Sequence, residues 1–99
     1  MEKWRTTARK TIRQYPDLLI KERELSAVQA KDLYAVRMAL DTLHRRYRNA
    51  DLMQTLVDIC YWQKSFTVDG AAAALHISLE TAHGWDRLFV SLVDAYRHS

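Results

Sequence analysis

Residues 67–96 read TVDGAAAALHISLETAHGWDRLFVSLVDAY, and their reading decides the fold. Thr67, Val68 and Asp69 lead into an alanine run, and alanine has the highest intrinsic helix propensity. Ala71, Ala72 and Leu75 recur at helical spacing and mark one buried face. His76-Ile77 breaks the run. Ser78 can then cap a second helix, its hydroxyl accepting from the amide of Glu80 or Thr81. Trp85, Leu88, Phe89, Leu92 and Tyr96 form one apolar stripe along that second helix. The stretch therefore predicts a helix, a tight turn and a longer helix.

This spacing fits a helix-turn-helix. Such a unit needs a small residue where the second helix crosses the first, and Ala72 suits this. It needs apolar residues on either side of the turn and inside the second helix. Leu75, Ile77, Ala82 and Trp85 supply them. The turn needs one residue at positive φ, and His76 holds that place, as a residue type enriched there. A plain packed helical hairpin has the same periodicity, so both readings stay open here. The exposed face of the second helix carries Leu79, Glu80, His83, Gly84 and Asp86, with Arg87 its first cation.

Outward from this stretch the rest of the chain also reads as helix. Ninety-nine residues with two glycines and one proline make one all-α domain, with residues 1–48 as a basic helical part and 51–97 as the helix-turn-helix part. Residues 2–14 form an amphipathic helix with Trp4, Ala8 and Ile12 one turn apart and Tyr15 continuing the stripe. Pro16 is expected to stop it, because the residue before a proline avoids the α region. A short helix from 17 to 25 follows. Ser26 and Gln29 have the spacing of a capping box for the next helix, 27–48. In that helix Leu33, Val36, Leu40, Leu43 and Tyr47 follow the rhythm of a coiled-coil seam. About two heptads are fewer than a coiled coil needs, so an ordinary core-facing helix is the favoured reading; the seam predicts self-association, as a homodimer, if it is too apolar for so small a core to cover. Asn49 or Asp51 caps a helix that runs to about residue 62, with Leu52, Leu56, Ile59 and Cys60 inside. Phe66 returns to the core after a short polar connection.

Charge divides the chain unevenly. Residues 1–48 hold twelve Lys or Arg and six Asp or Glu, an excess of +6. Residues 49–99 hold three and six, giving −3. The positive field lies on the half outside the helix-turn-helix. It suits a polyanion, or it is a solvated helical face. His44, Arg45, Arg46 and Arg48 cluster where the helix 27–48 ends, favourable for the helix dipole and available to phosphate.

Several function classes find no support. No apolar run approaches the roughly 20 residues that span a bilayer, and the first ten residues lack a secretory signal's apolar core. One cysteine, Cys60, makes no internal disulfide, and a buried reduced thiol in a cytoplasmic protein is expected. The histidines have no zinc-site spacing to Cys60. There is no glycine-rich phosphate loop and no nucleophile elbow. No metal, cofactor or enzymatic activity is expected.

YWQKSFTVDGAAAALHISLETAHGWDRLFVSLVDAY, residues 61–96, resembles the C-terminal part of phage late-operon transcriptional regulators of the RinA and ArpU type. The matching features are Tyr61-Trp62, residues 69–72, Leu75, Ile77-Ser78, Thr81, Trp85 and Phe89. Upstream, Tyr15-Pro16 after a basic helix is similar to the family's start. The resemblance implies a helix-turn-helix similar to the promoter-reading unit of sigma factors. It implies double-stranded DNA as partner and admits RNA polymerase as a second. Thr81, His83 and Arg87 would approach the major groove, and the N-terminal cations or Arg45, Arg46 and Arg48 would contact phosphate. This chain departs from the family in having few cations on the second helix. A second reading therefore stands beside it: a helical protein-interaction module that keeps the fold without binding DNA.

Overall fold

The computed structural model describes residues 3–98. Residue 2, where the first helix was expected to begin, lies outside them. Five α-helices follow one another: α1 (Lys3–Ile20), α2 (Ala27–Arg46), α3 (Ala50–Val57), α4 (Val68–Ala74) and α5 (Leu79–Arg97). A 3-10 turn, Glu22–Glu24, links α1 to α2, and a π-helical segment, Asp58–Trp62, prolongs α3. Among the described residues every regular element is helical, so the chain is all-α.

α1 does not stop at Pro16; it runs through to Ile20. A proline offers no N–H to the carbonyl four residues back, here that of Ile12. That carbonyl instead accepts from Trp62 Nε1 at 2.8 Å. The Tyr15 and Trp62 rings lie against each other, with centroids 5.2 Å apart. A tertiary donor has replaced the backbone donor, and the expected break disappears. The short helix expected at 17–25 shrinks to the 3-10 turn, which an Arg37–Glu22 ion pair ties to α2.

α2 begins with the expected capping box: Ser26 Oγ accepts from the amide of Gln29, whose side chain accepts from the amide of Ser26. The helix ends at Arg46, two residues early, with Tyr47 extended. Leu33, Val36 and Leu43 are buried in the chain's own core, Leu40 is partly buried, and Tyr47 is exposed. Leu33, Val36 and Leu43 thus face the chain's own core, while Leu40 and Tyr47 keep exposed surface.

α4 and α5 meet at a Schellman turn. The amide of Ile77 donates to the carbonyl of Ala72 and that of His76 to Ala73, which closes the end of α4. His76 takes φ 56°, the left-handed conformation expected of it. Ser78 caps α5 by accepting from the amide of Thr81 at 3.0 Å. Thr67 caps α4 in the same manner, accepting from Gly70. Ala71, Ala72 and Ala82 pack with Leu56 as a small cluster of buried side chains. The main core joins Ala8 and Ile12 of α1, Val36, Ala39 and Leu43 of α2, and Phe89, Val90 and Val93 of α5. Cys60 and Trp85 touch both clusters.

Two placements differ from the expected ones. Phe66 is 45% exposed, its ring lying over Gly70, where an added Cβ would come within 3.2 Å of it. The buried face of α5 carries Ala82, Asp86, Phe89, Val90 and Val93, with Trp85, Leu88, Leu92 and Tyr96 flanking it, partly buried. The helix is therefore turned so that Asp86 points inward, where simple polarity would have placed it outside. No described helix is long and apolar enough to cross a membrane.

Candidate functional site

The inward turn of Asp86 is explained by what meets it. Tyr61, in the π-helical segment, donates its hydroxyl to Asp86 Oδ1 at 2.5 Å. Arg9 of α1 donates from Nη2 to Asp86 Oδ2 at 3.2 Å and from Nε to the Tyr61 oxygen at 3.3 Å. The three groups close a ring, and each carboxylate oxygen has a donor. Asp86 is 6% exposed and Tyr61 equally hidden, so an unpaired carboxylate here would be costly. The ring binds three elements, α1, the π-helical segment after α3 and the first half of α5.

The π-helical segment makes this geometry. Its wider turn adds a residue per repeat relative to an α-helix and re-aims the side chains that follow. Tyr61 points at Asp86, while Trp62 reaches the Ile12 carbonyl. Two residues past the segment Lys64 takes φ 55°, and the Ile59 carbonyl accepts from Ser65.

Burial pushes the Tyr61 phenol well above its ordinary value, and the adjacent Asp86 pushes it further. The hydroxyl therefore stays a donor. Burial lowers the Arg9 guanidinium, but its bonds to Tyr61 and Asp86 outweigh that and leave it raised. Burial also pushes the Cys60 thiol up, with Asp86 adding to the effect. The thiol is partly buried, less deeply than the sequence suggested, and its raised value makes it a poor nucleophile.

Above the ring lies a groove of about 390 Å³ between α1 and the start of α5, lined by Arg9, Arg13, Phe66, Thr67 and His83 among others. Arg13 is exposed, and its guanidinium carbon lies 5.7 Å from the centre of the Tyr61 ring, a cation–π distance. His83 Nε2 lies 2.5 Å from Asp69 Oδ1 of α4. Arg5, Arg9 and Arg13 recur every four residues and so follow one side of α1.

The residues singled out in the sequence fall into two places. Thr81, His83 and Arg87 all lie on the first half of α5; His83 and Arg87 are exposed, and Thr81 accepts from the Ser78 hydroxyl at 2.8 Å. Arg45 and Arg46 stand exposed at the end of α2, and Arg48 is exposed in the connection to α3. Arg45 pairs with Asp41 at 2.8 Å, and His44 with Gln54 at 2.6 Å. Among the described residues, the side-chain bonds of this cluster go to α2 and α3 and none to α5. The sequence reading counted Arg9 and Arg13 only among the N-terminal cations, passed over Tyr61 as a site residue, and set Asp86 on the surface. The signal that could have found them was Tyr61 and Asp86, two polar groups inside otherwise apolar helical faces. Among the described residues, no group of three His, Cys, Asp or Glu side chains comes together as a metal would need.

No family model, no curated protein and no solved structure matches this chain.

Proposed function

We propose that the chain binds double-stranded DNA, with α4 and α5 acting as a helix-turn-helix and the first half of α5 entering the major groove, in the manner of the phage transcriptional regulators it resembles. One observation carries the reading: Arg9 and Arg13, from the basic half of the chain, line the same groove as His83 of α5. Two cations of the basic half, Arg9 and Arg13, therefore adjoin the exposed start of α5. Asp86, a carboxylate that would repel phosphate on an open surface, is buried and neutralised by Arg9. Arg87 and His83 remain the groups on α5 that would read base edges, with Thr81 beside them.

A second reading has its own observation. Leu79 is 55% exposed at the very start of α5, and exposed Phe66 lies at the rim of the groove. Exposed apolar residues there favour a protein partner. Anisotropy with a labelled duplex of about two helical turns, taken from the chain's genomic neighbourhood, separates the two. A scrambled duplex serves as comparison. The DNA reading expects both duplexes to bind at low salt, and the Thr81→Ala, His83→Ala variant to change the preference between them. No binding to either duplex at low salt overturns it and leaves the protein-interaction module.

A further inference from the structure

The charges around the groove do not act alike. Arg9 and Asp86 cancel, since the guanidinium and carboxylate are bonded to each other inside the ring. His83 is engaged with Asp69, so that pair adds no net positive charge. Among the described residues Arg13 remains as the groove cation without a carboxylate against it. It is also held in place from below. Its guanidinium lies over the Tyr61 ring, and the Tyr61 hydroxyl is fixed by Asp86 and Arg9. A planar guanidinium resting on an aromatic face keeps its N–H edge free for a bidentate acceptor.

We propose that this groove seats one phosphate of the DNA backbone, with Arg13 as its direct contact and the Arg9–Asp86–Tyr61 ring as the base that orients Arg13. The proposal rests on the DNA reading and names where a positioning contact is made. The ligand chemistry is a phosphodiester monoanion. Among the described residues that line the groove, Arg13 is the cation with no carboxylate partner, and its single charge matches that of the phosphodiester. Tyr61 and Asp86 are positioning residues, because they act on the phosphate only through Arg13. The ring has a second effect. It locks the groove to α5, so a phosphate bound there sets the register of the whole helix against the duplex.

The test is affinity measured against salt on the scrambled duplex, where sequence reading plays no part. Each phosphate neutralised on duplex DNA contributes about −0.9 to the slope of log affinity against log salt. Arg13→Gln is expected to make the slope shallower by about that one increment. Arg13→Lys keeps the charge and is expected to keep the wild-type slope while weakening binding, since an ammonium ion neither stacks on Tyr61 nor forms a bidentate pair. An Arg13→Gln slope equal to wild type, with binding retained, overturns the phosphate seat and leaves the DNA reading standing. An Arg13→Lys slope as shallow as that of Arg13→Gln overturns it as well. A wild-type chain that binds no duplex at any salt removes the DNA reading itself, and the phosphate seat with it.

Discussion

The two halves of α5 are held by different forces. The second half places Phe89, Val90 and Val93 in the main core, each 1% exposed or less. Burial of apolar area fixes it, and the contact is non-directional. The first half buries only Ala82 and Asp86. Trp85 packs there, partly buried, against both clusters, and directed bonds add to the hold: Asp86 to Tyr61 and Arg9, Ser78 to Thr81, His83 to Asp69. A helix can thus be anchored at one end by packing and aimed at the other by polar contacts. The aimed half is the one that carries the proposed reading surface.

Substitutions can break or sharpen this contrast. The largest effect is expected from Phe89→Ala in the packed half, a loss of about 3–5 kcal/mol of folding stability, the range for a large buried aromatic. Chemical denaturation measures it, and a loss below about 1 kcal/mol would show that packing does not anchor this half. Asp86→Ala comes next. It leaves the Tyr61 hydroxyl and Arg9 without their shared partner, and about 3 kcal/mol is expected, at the lower end for a broken buried pair because Arg9 still reaches water. Near-neutral stability in that variant would mean that the first half is held without the ring.

Ser78→Ala removes a cap and should cost about 1 kcal/mol. Amide exchange should quicken in the first turn of α5 and stay unchanged near Phe89. Equal acceleration at both ends would erase the distinction between the halves. His83→Ala should cost less than about 1 kcal/mol, because both partners of the His83–Asp69 contact are largely exposed.

The alkaline limb of stability tests the ring without removing it. The folded chain holds the Tyr61 proton at pH values where an unfolded phenol, with its ordinary value of 10, has lost it. The stabilisation from this group is therefore full below pH 10 and is lost as the pH rises toward the higher folded value. Thermal melts should fall above pH 10, and the fall should be shallower in Tyr61→Phe. Identical alkaline limbs in the two proteins would mean that Tyr61 titrates normally.

Features decided by neighbours in sequence could be read from it. The capping box of Ser26 and Gln29, the Ser78 cap and the positive φ of His76 each involve residues a few positions apart. The all-α class followed from helix formers and scarce turn residues. What escaped was set by partners far along the chain. Pro16 breaks a helix by local rules, and the donor that satisfies the Ile12 carbonyl comes from Trp62, 50 residues on. Asp86 is polar, so it was assigned to the surface, and the partners that bury it come from positions 9 and 61. The π-helical segment has no sequence signature here, so the aim of Tyr61 could not be foreseen. The groove depends on all three of these, and so the basic residues on α1 could not be assigned to it while those at the end of α2 drew attention by clustering.

The bond between Trp62 and the Ile12 carbonyl also sets an order of events during synthesis. Until position 62 has left the ribosome, the carbonyl beneath Pro16 has no indole donor, and the nascent segment is free to bend there. At synthesis rates of about 5–20 residues per second, the 50 residues between the two partners delay completion of α1 by a few seconds at least. The first helix to be made is thus among the last to be finished. A peptide covering residues 1–25 should show helical NMR shifts that fade before Pro16, whereas the same residues in the whole chain should be helical through Ile20. A peptide helical through residue 20 on its own would remove the need for the indole.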